Sequence, residues 1–493
     1  MSNMTFAASV VAELFERQFG NFVNHLNYGM EVLDLFEMTK TSFNGAYFEY
    51  PTTVARAGHG RYQGEGARQP TPRSLNDEVV KFSVSEYIDK LGFTWRFLSQ
   101  GDSSLLKSKI KRRINRAFEE NREFLDQVSI YGNATRGLIN ERMFVAGAPN
   151  TPILCGAGAP VAGLNRTVEI VVDYSGDHTR FSAAVLANPT TWVPVTLRLL
   201  DDYGAVAVGN AIVSGGGANT GHLFVTGSSE LAGTVTLVLV SDNAGTGLLI
   251  DSTTIADGFA IGVELDNTTA VNGVAIGTPQ YGNIDPATGV AYTGDASYEM
   301  AGIFHNLFYG MWGDKDRSTA AYLRLRSTGL TMATSGTHSR AGFSAERVSH
   351  LIQTVKIAAG RAGKFTHMLG NPLIMTRLIA AITVTTEYQV KGPAGKADLG
   401  PSSVLMLGYE LKECLNMPNG MIVGINKACW EILTVGGKMI DIIKRGDASG
   451  VIGGPLFKSS DVTTSSDTVF YGIHQLVCDR PNSAGAICGI DLV

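Results

Sequence analysis

The chain has 493 residues, of which 44% are apolar and 17% charged, and its formal net charge is −5. That length suits roughly two to four domains with a substantial core, and the near-balanced charge excludes a strong electrostatic footprint for nucleic acid or an anionic membrane. Five cysteines (Cys155, Cys414, Cys429, Cys478 and Cys488) are odd in number and form no CxxC, so they read as buried thiols of a reducing compartment, not as a disulfide framework or zinc knuckle.

The first predicted element is a helix over residues 7–18, with Val10, Val11, Leu14 and Phe15 on one face. Glu13, Glu16 and Arg17 interrupt its apolar run, so it reads as amphipathic and not as a signal peptide. No apolar run anywhere approaches the roughly 20 residues of a membrane span. A short apolar stretch at 32–38 leads into NGAYFEYPTTVARAGHGRYQGEGARQPTPRSLN, residues 44–76, which is rich in Gly, Pro and Arg and nearly empty of large aliphatics. Such a stretch cannot build a core of its own. It is a linker, or an arm ordered by leaning on something else. Strand-like pieces at 46–50 and 79–84 flank it and suggest a long two-stranded loop, with Tyr47, Phe48 and Tyr50 along a strand edge.

The clearest helix covers residues 103–131, with Asp102 or Ser103 as its cap and Gly132 as its stop. Leu106, Ile110, Ile114, Ala117, Phe118, Leu125 and Val128 form its apolar stripe. Lys107, Lys109, Lys111, Arg112, Arg113, Arg116, Glu119, Glu120, Arg122 and Glu123 fill much of the remainder. At about 40 Å it is long for a globular helix and needs a long object to lie across. Its basic run is a solvated face with partner salt bridges by default, and a nucleic-acid contact is the lesser reading.

From 165 to 295 charge thins and Gly, Thr and Val rise. Strand-like runs at 168–174, 193–200, 205–213, 222–226, 234–241, 248–254 and 259–265 predict an all-β domain of immunoglobulin-like sandwich type set into the chain. Beyond it, Val348, Leu351, Ile352, Val355 and Ala359 mark a helix over 345–359, and Pro372 opens another over 372–382. Closing strands are expected at 421–425, 430–434, 469–477 and 486–490.

Chemistry is scarce. The sequence has no GxxxxGK[ST], HExxH, GxSxG or complete GxGxxG, and its glycine-rich stretches at 58–66 and 156–163 lack a strand-then-helix setting. No two of its nine histidines stand four apart, and His59 reads as a polar loop residue. Asp201, Asp202, Asp242 and Asn243 read as turn residues, since they lack the alternating oxygens of a calcium loop. No catalytic, cofactor-binding or metal-binding residue is nominated, which points to a structural protein and not an enzyme.

The order of these parts resembles the Hong Kong 97-type major capsid fold of tailed phages, an α+β architecture. FTWRFLSQGDSSLLKSKIKRRINRAFEENREFLDQVSIYGNATRGLI is similar to that family's strand, spine helix and glycine turn. FSAERVSHLIQTVKIAAGRAGKFTHMLGNPLIMTRLIAAI is similar to its axial-domain helix, strand and second helix. CLNMPNGMIVGINKACWEILTVGG and FYGIHQLVCDRPNSAGAICGID resemble its closing strands, and the likeness covers residues 1–150 and 300–493.

The resemblance implies an N-terminal arm at 1–43, an extended loop at 44–85, and a peripheral domain at 86–164 containing the spine helix. The β insertion at 165–295 follows, then a return to the peripheral domain at 296–339, an axial domain at 340–468 and closing peripheral strands at 469–493. It implies a shell protein of the virion, assembled in the host cytoplasm around double-stranded DNA that it contacts non-specifically. Its partners would be copies of itself in hexamers and pentamers, a portal protein, and scaffolding or decoration proteins, with no membrane. Arg56, Arg61, Arg68 and Arg73 in the loop, and Arg112, Arg113, Arg116, Glu119 and Glu120 on the spine, become candidates for intersubunit contact.

Some members of that family weld subunits through a loop lysine. Here no lysine lies between Lys40 and Lys81, so non-covalent assembly is expected. An encapsulin-type compartment is the nearest alternative, disfavoured by the length and the β insertion. A secreted adhesin or surface-layer protein fits the β region but not the long charged helix, and an unrecognised hydrolase would need a pocket with perturbed titratable groups.

Overall fold

The computed structural model describes residues 32–41, 47–55, 76–94, 103–132, 141–147, 153–154, 166–173, 193–199, 221–229, 233–241, 249–250, 260–265, 300–308, 310–317, 319–333, 340–385, 403–406, 408–435, 437, 439–442, 458–459 and 465–492. The expected helix at 7–18 and strand at 205–213 lie outside them.

A short turn at Leu33–Leu35 leads into β1 (Glu37–Lys40), then into a ribbon of β2 (Tyr47–Ala55) and β3 (Asn76–Ser83), and into β4 (Ser85–Thr94). The helix α1 (Ser103–Tyr131) spans the residues expected of it and stops at Gly132, whose N–H donates to Val128 O at 2.7 Å. Next come β5 (Glu141–Gly147), β6 (Ile153–Leu154), β7 (Arg166–Asp173), β8 (Val193–Leu199), β9 (Gly221–Ser229), β10 (Thr234–Ser241), β11 (Leu249–Ile250) and β12 (Ala260–Leu265). A short helix α2 (Ile303–Phe308), the two-residue strands β13 (Met311–Trp312) and β14 (Lys315–Asp316), and β15 (Thr328–Thr331) precede α3 (Ala345–Ala359). The chain closes through β16 (His367–Gly370), α4 (Pro372–Thr385), β17 (Ser403–Met406), β18 (Tyr409–Glu413), β19 (Ile422–Ile425), β20 (Trp430–Thr434), β21 (Asp441–Ile442), β22 (Lys458–Ser459), β23 (Ser465–Cys478) and β24 (Gly485–Cys488).

Local chemistry sets the ends of both later helices. Ser344 caps α3 by accepting from the Arg347 N–H, and Asn371 caps α4 by accepting from the Leu373 N–H at 3.0 Å, with Pro372 in the position where a missing N–H costs nothing. Val348, Leu351, Ile352 and Val355 of α3 are buried as their spacing predicts, while Ala359 is half-buried.

Two six-stranded sheets organise the main body. The first is built on β23, which pairs antiparallel with β20, β4, β21 and β22, while β1 adds in parallel to β20. The second has the order β15-β24-β19-β16-β18-β17 and is packed by α3 and α4 through Leu351, Val355, Ile374 and Leu378 against Met368, Leu411, Ile422 and Ile487. The end of α1, with Leu125 and Val128, shares one apolar core with Trp430, Ile432 and Leu476 of the first sheet and Leu369, Val423 and Ala486 of the second.

Each sheet draws strands from distant parts of the chain: β15 and β24 join the second, and β20, β21 and β22 join the first. Strand pairing between distant segments decides membership, and position along the chain does not encode it.

Among the described residues the strands of the β region pair as a closed barrel, β10-β7-β5-β12-β8-β9. Closure leaves no exposed edge in a charge-poor region, which an open two-sheet stack would have to protect. The barrel takes in β5, which precedes residue 165, and releases the expected strand around 249–250, which pairs with β6 instead.

Candidate assembly surface

The ribbon of β2 and β3 alternates cleanly. Phe48, Tyr50 and Thr52 stand opposite Phe82, Val80 and Glu78 on one face, and Glu49 and Pro51 stand opposite Lys81 and Val79 on the exposed other. Phe48, Val80 and Phe82 are buried against Trp312, Leu325, Leu433 and Val477, and the Phe82 and Trp312 rings meet edge to face at 5.3 Å. A polar collar surrounds this apolar root. Lys315 Nζ lies 3.0 Å from Glu78, the Tyr322 hydroxyl donates to Glu78 at 3.1 Å, and the Lys81 N–H donates to Asp314 at 3.0 Å. The hydrogen bond to Glu78 and the burial of the ring raise the Tyr322 phenol above its ordinary pKa. The Tyr50 hydroxyl donates to Glu431 at 3.3 Å, and desolvation with the nearby Asp479 and Glu431 charges holds that phenol protonated. The ribbon is thus anchored firmly at one end, with residues 56–75 joining its two strands at the other.

The charged face of α1 is the second component. Arg112, Arg116, Glu119 and Glu120 are all exposed, and Arg116 Nε reaches Glu120 Oε1 at 2.9 Å within the helix, with 80% of the Arg116 side chain in solvent. The side chain of Arg113, and Arg56, Arg61, Arg68 and Arg73 altogether, lie outside the described residues. The opposite side of α1 is fixed by a buried carboxylate that the sequence reading passed over. Asp126 accepts from the Val32 N–H at 3.1 Å and from Asn416 Nδ2 at 2.9 Å, tying the chain's entry into β1 and the loop before β19 to the helix. Its signal was an acid inside the apolar run FLDQVSI. Large apolar side chains also reach solvent at Ile88 on β4, Ile357 on α3, and Leu373 and Leu415 beside the start of α4.

No protein-family model matches the chain, and no curated protein does. Among solved structures, the chain is similar to a protein of the cyanophage A-1(L) capsid asymmetric unit at 10% identity, over 94% of this chain and 93% of that one, with a TM-score of 0.45. It is similar to a protein of Gordonia phage Cozz at 8% identity, over 93% and 86%, with a TM-score of 0.37. The SrpI encapsulin of Synechococcus elongatus is matched at 11% identity over only 34% of this chain and 54% of that one, with a TM-score of 0.21.

Among the described residues no group of three His, Cys, Asp or Glu could hold a metal ion, and no helix is long and apolar enough to cross a membrane. Cys414, Cys429, Cys478 and Cys488 are buried, and desolvation pushes the Cys478 thiol well above its ordinary pKa.

Proposed function

We propose that this chain is the major capsid protein of a tailed phage, a subunit that packs with copies of itself, as hexamers and pentamers, into the icosahedral shell around a double-stranded DNA genome. The observation that carries this reading is the β2–β3 ribbon. Its root is clamped by Trp312 and the Glu78–Lys315 pair, while the polar segment between its strands is nearly empty of large aliphatics with which to hold itself. A stiff root bearing a polar arm suits contact with a neighbouring subunit, where Arg56, Arg61, Arg68 and Arg73 would meet acidic groups. The long α1, with its exposed Arg112, Arg116, Glu119 and Glu120, offers a matching charged surface.

In this reading the first sheet with α1 is the peripheral domain, the second sheet with α3 and α4 is the axial domain, and the barrel stands as an addition to them. A portal protein and scaffolding or decoration proteins are the further partners, and packaged DNA is contacted without sequence preference. The deciding experiment is electron microscopy of purified protein with and without residues 56–75. The intact chain should form closed particles, and the shortened one should melt as cooperatively yet stay as small oligomers. Normal particles from the shortened chain would refute the role given to the arm.

A further inference from the structure

Asp173, the last residue of β7, is fully buried where the barrel meets the second sheet. One carboxylate oxygen accepts from Arg340 Nη2 at 2.7 Å, and the other accepts from the Gly489 N–H at 2.7 Å. The same Arg340 nitrogen donates to Val172 O, and the Arg340 side chain is only 7% exposed. Ala341, the next residue, donates its N–H to Gly489 O at 3.0 Å and bridges in parallel to Ile490. A barrel strand, the segment entering α3 and the segment leaving β24 therefore converge on one carboxylate.

The space around that pair is also built. Gly233, in the turn between β9 and β10, has φ +59°, and a side chain there would strike the Arg340 guanidinium. Gly420, just ahead of β19, has φ +71°, and a side chain there would strike the Asp173 carboxylate. Both backbones adopt the left-handed conformation that glycine takes at no steric cost. One glycine comes from the barrel and the other from the second sheet, so each side is relieved to admit the pair. Directly opposite Asp173 in register, Phe144 of β5 enters the main core, its ring centroid 4.2 Å from that of Phe304.

We propose that Asp173 and Arg340 lock the barrel to the second sheet, so that the two move as one rigid body and the barrel root is part of the main fold. A buried ion pair is a poor source of net stability, yet removing one partner is costly because the other charge stays buried, so such pairs fix position more than they add strength. The proposal stands whether or not the chain builds a shell.

Hydrogen exchange read by mass spectrometry on the full chain tests it, comparing wild type with Asp173→Ala and Arg340→Met. Segments 166–173, 341–343 and 485–490 should lose protection together, by about a hundredfold, while 430–434 keeps its own. If Asp173→Ala does not fold, the double variant Asp173→Asn/Arg340→Met leaves no buried charge and should loosen the same three segments. Protection unchanged in all three, or lost from the barrel strand alone, would overturn the lock.

Discussion

Single side chains explain how this protein keeps polar groups inside its core. His474, on β23, is fully buried, stands opposite Ser85 and Thr434, and donates from Nδ1 to Met439 O at 3.1 Å. Burial lowers its pKa from the ordinary 6.5 to about 4. Between those values the unfolded chain binds a proton that the folded chain excludes, so this contribution is complete above about pH 6.5 and is lost as pH falls towards 4. Its size is roughly 3 kcal/mol. Thermal melts across that window should show a slope in wild type that His474→Gln flattens, and an unchanged slope would mean that other groups dominate. At the ribbon root Trp312→Ala should cost about 3–5 kcal/mol, read by denaturant unfolding, because it removes a fully buried indole packed with Phe82 and Val80 and leaves a cavity. Asp126, Asp173 and His474 escape a sequence reading for one reason: a charged or titratable residue in an apolar run signals a buried partner without saying which.

Elements divide into those legible in the sequence and those not. The limits of α1 and the buried face of α3 follow from periodicity and caps alone, because a helix is held by neighbours three and four residues away. The ribbon was legible from its polar middle and strand-like flanks. The barrel was not, since alternation marks a strand but not its partner, and β5 closes a barrel whose other strands begin some twenty residues later. The charged face of α1 carries its own test. An exposed (i, i+4) pair such as Arg116–Glu120 adds little stability, so Arg112→Glu/Arg116→Glu should shift the melting temperature by less than about 2 °C. Sedimentation should nevertheless show a several-fold fall in assembled particles, and an undiminished yield would remove this face from the interface.

At the scale of the molecule, chemistry between subunits separates two ways of holding a shell. With no lysine between Lys40 and Lys81, the arm has no amine with which to form an isopeptide bond. Particles heated in detergent should therefore run as one 52.5 kDa species on a denaturing gel, and a ladder of covalent multimers would contradict the reading. The candidate residues on the arm and on α1 follow from their charge together with the family resemblance. Which surface each one meets depends on a second copy, information that one chain's sequence holds only in part.

The position of β23 and β24 in chain order has a consequence for timing. β23 is the strand on which β4, β20, β21 and β22 all pair, and β24 joins β15 to β19. While a ribosome is still short of residue 465, neither sheet has the strand that completes it, and α1 waits without the surface it must cover. The first sheet can therefore be completed only after residues 465–478 have left the exit tunnel, and the second only after residues 485–488 have followed.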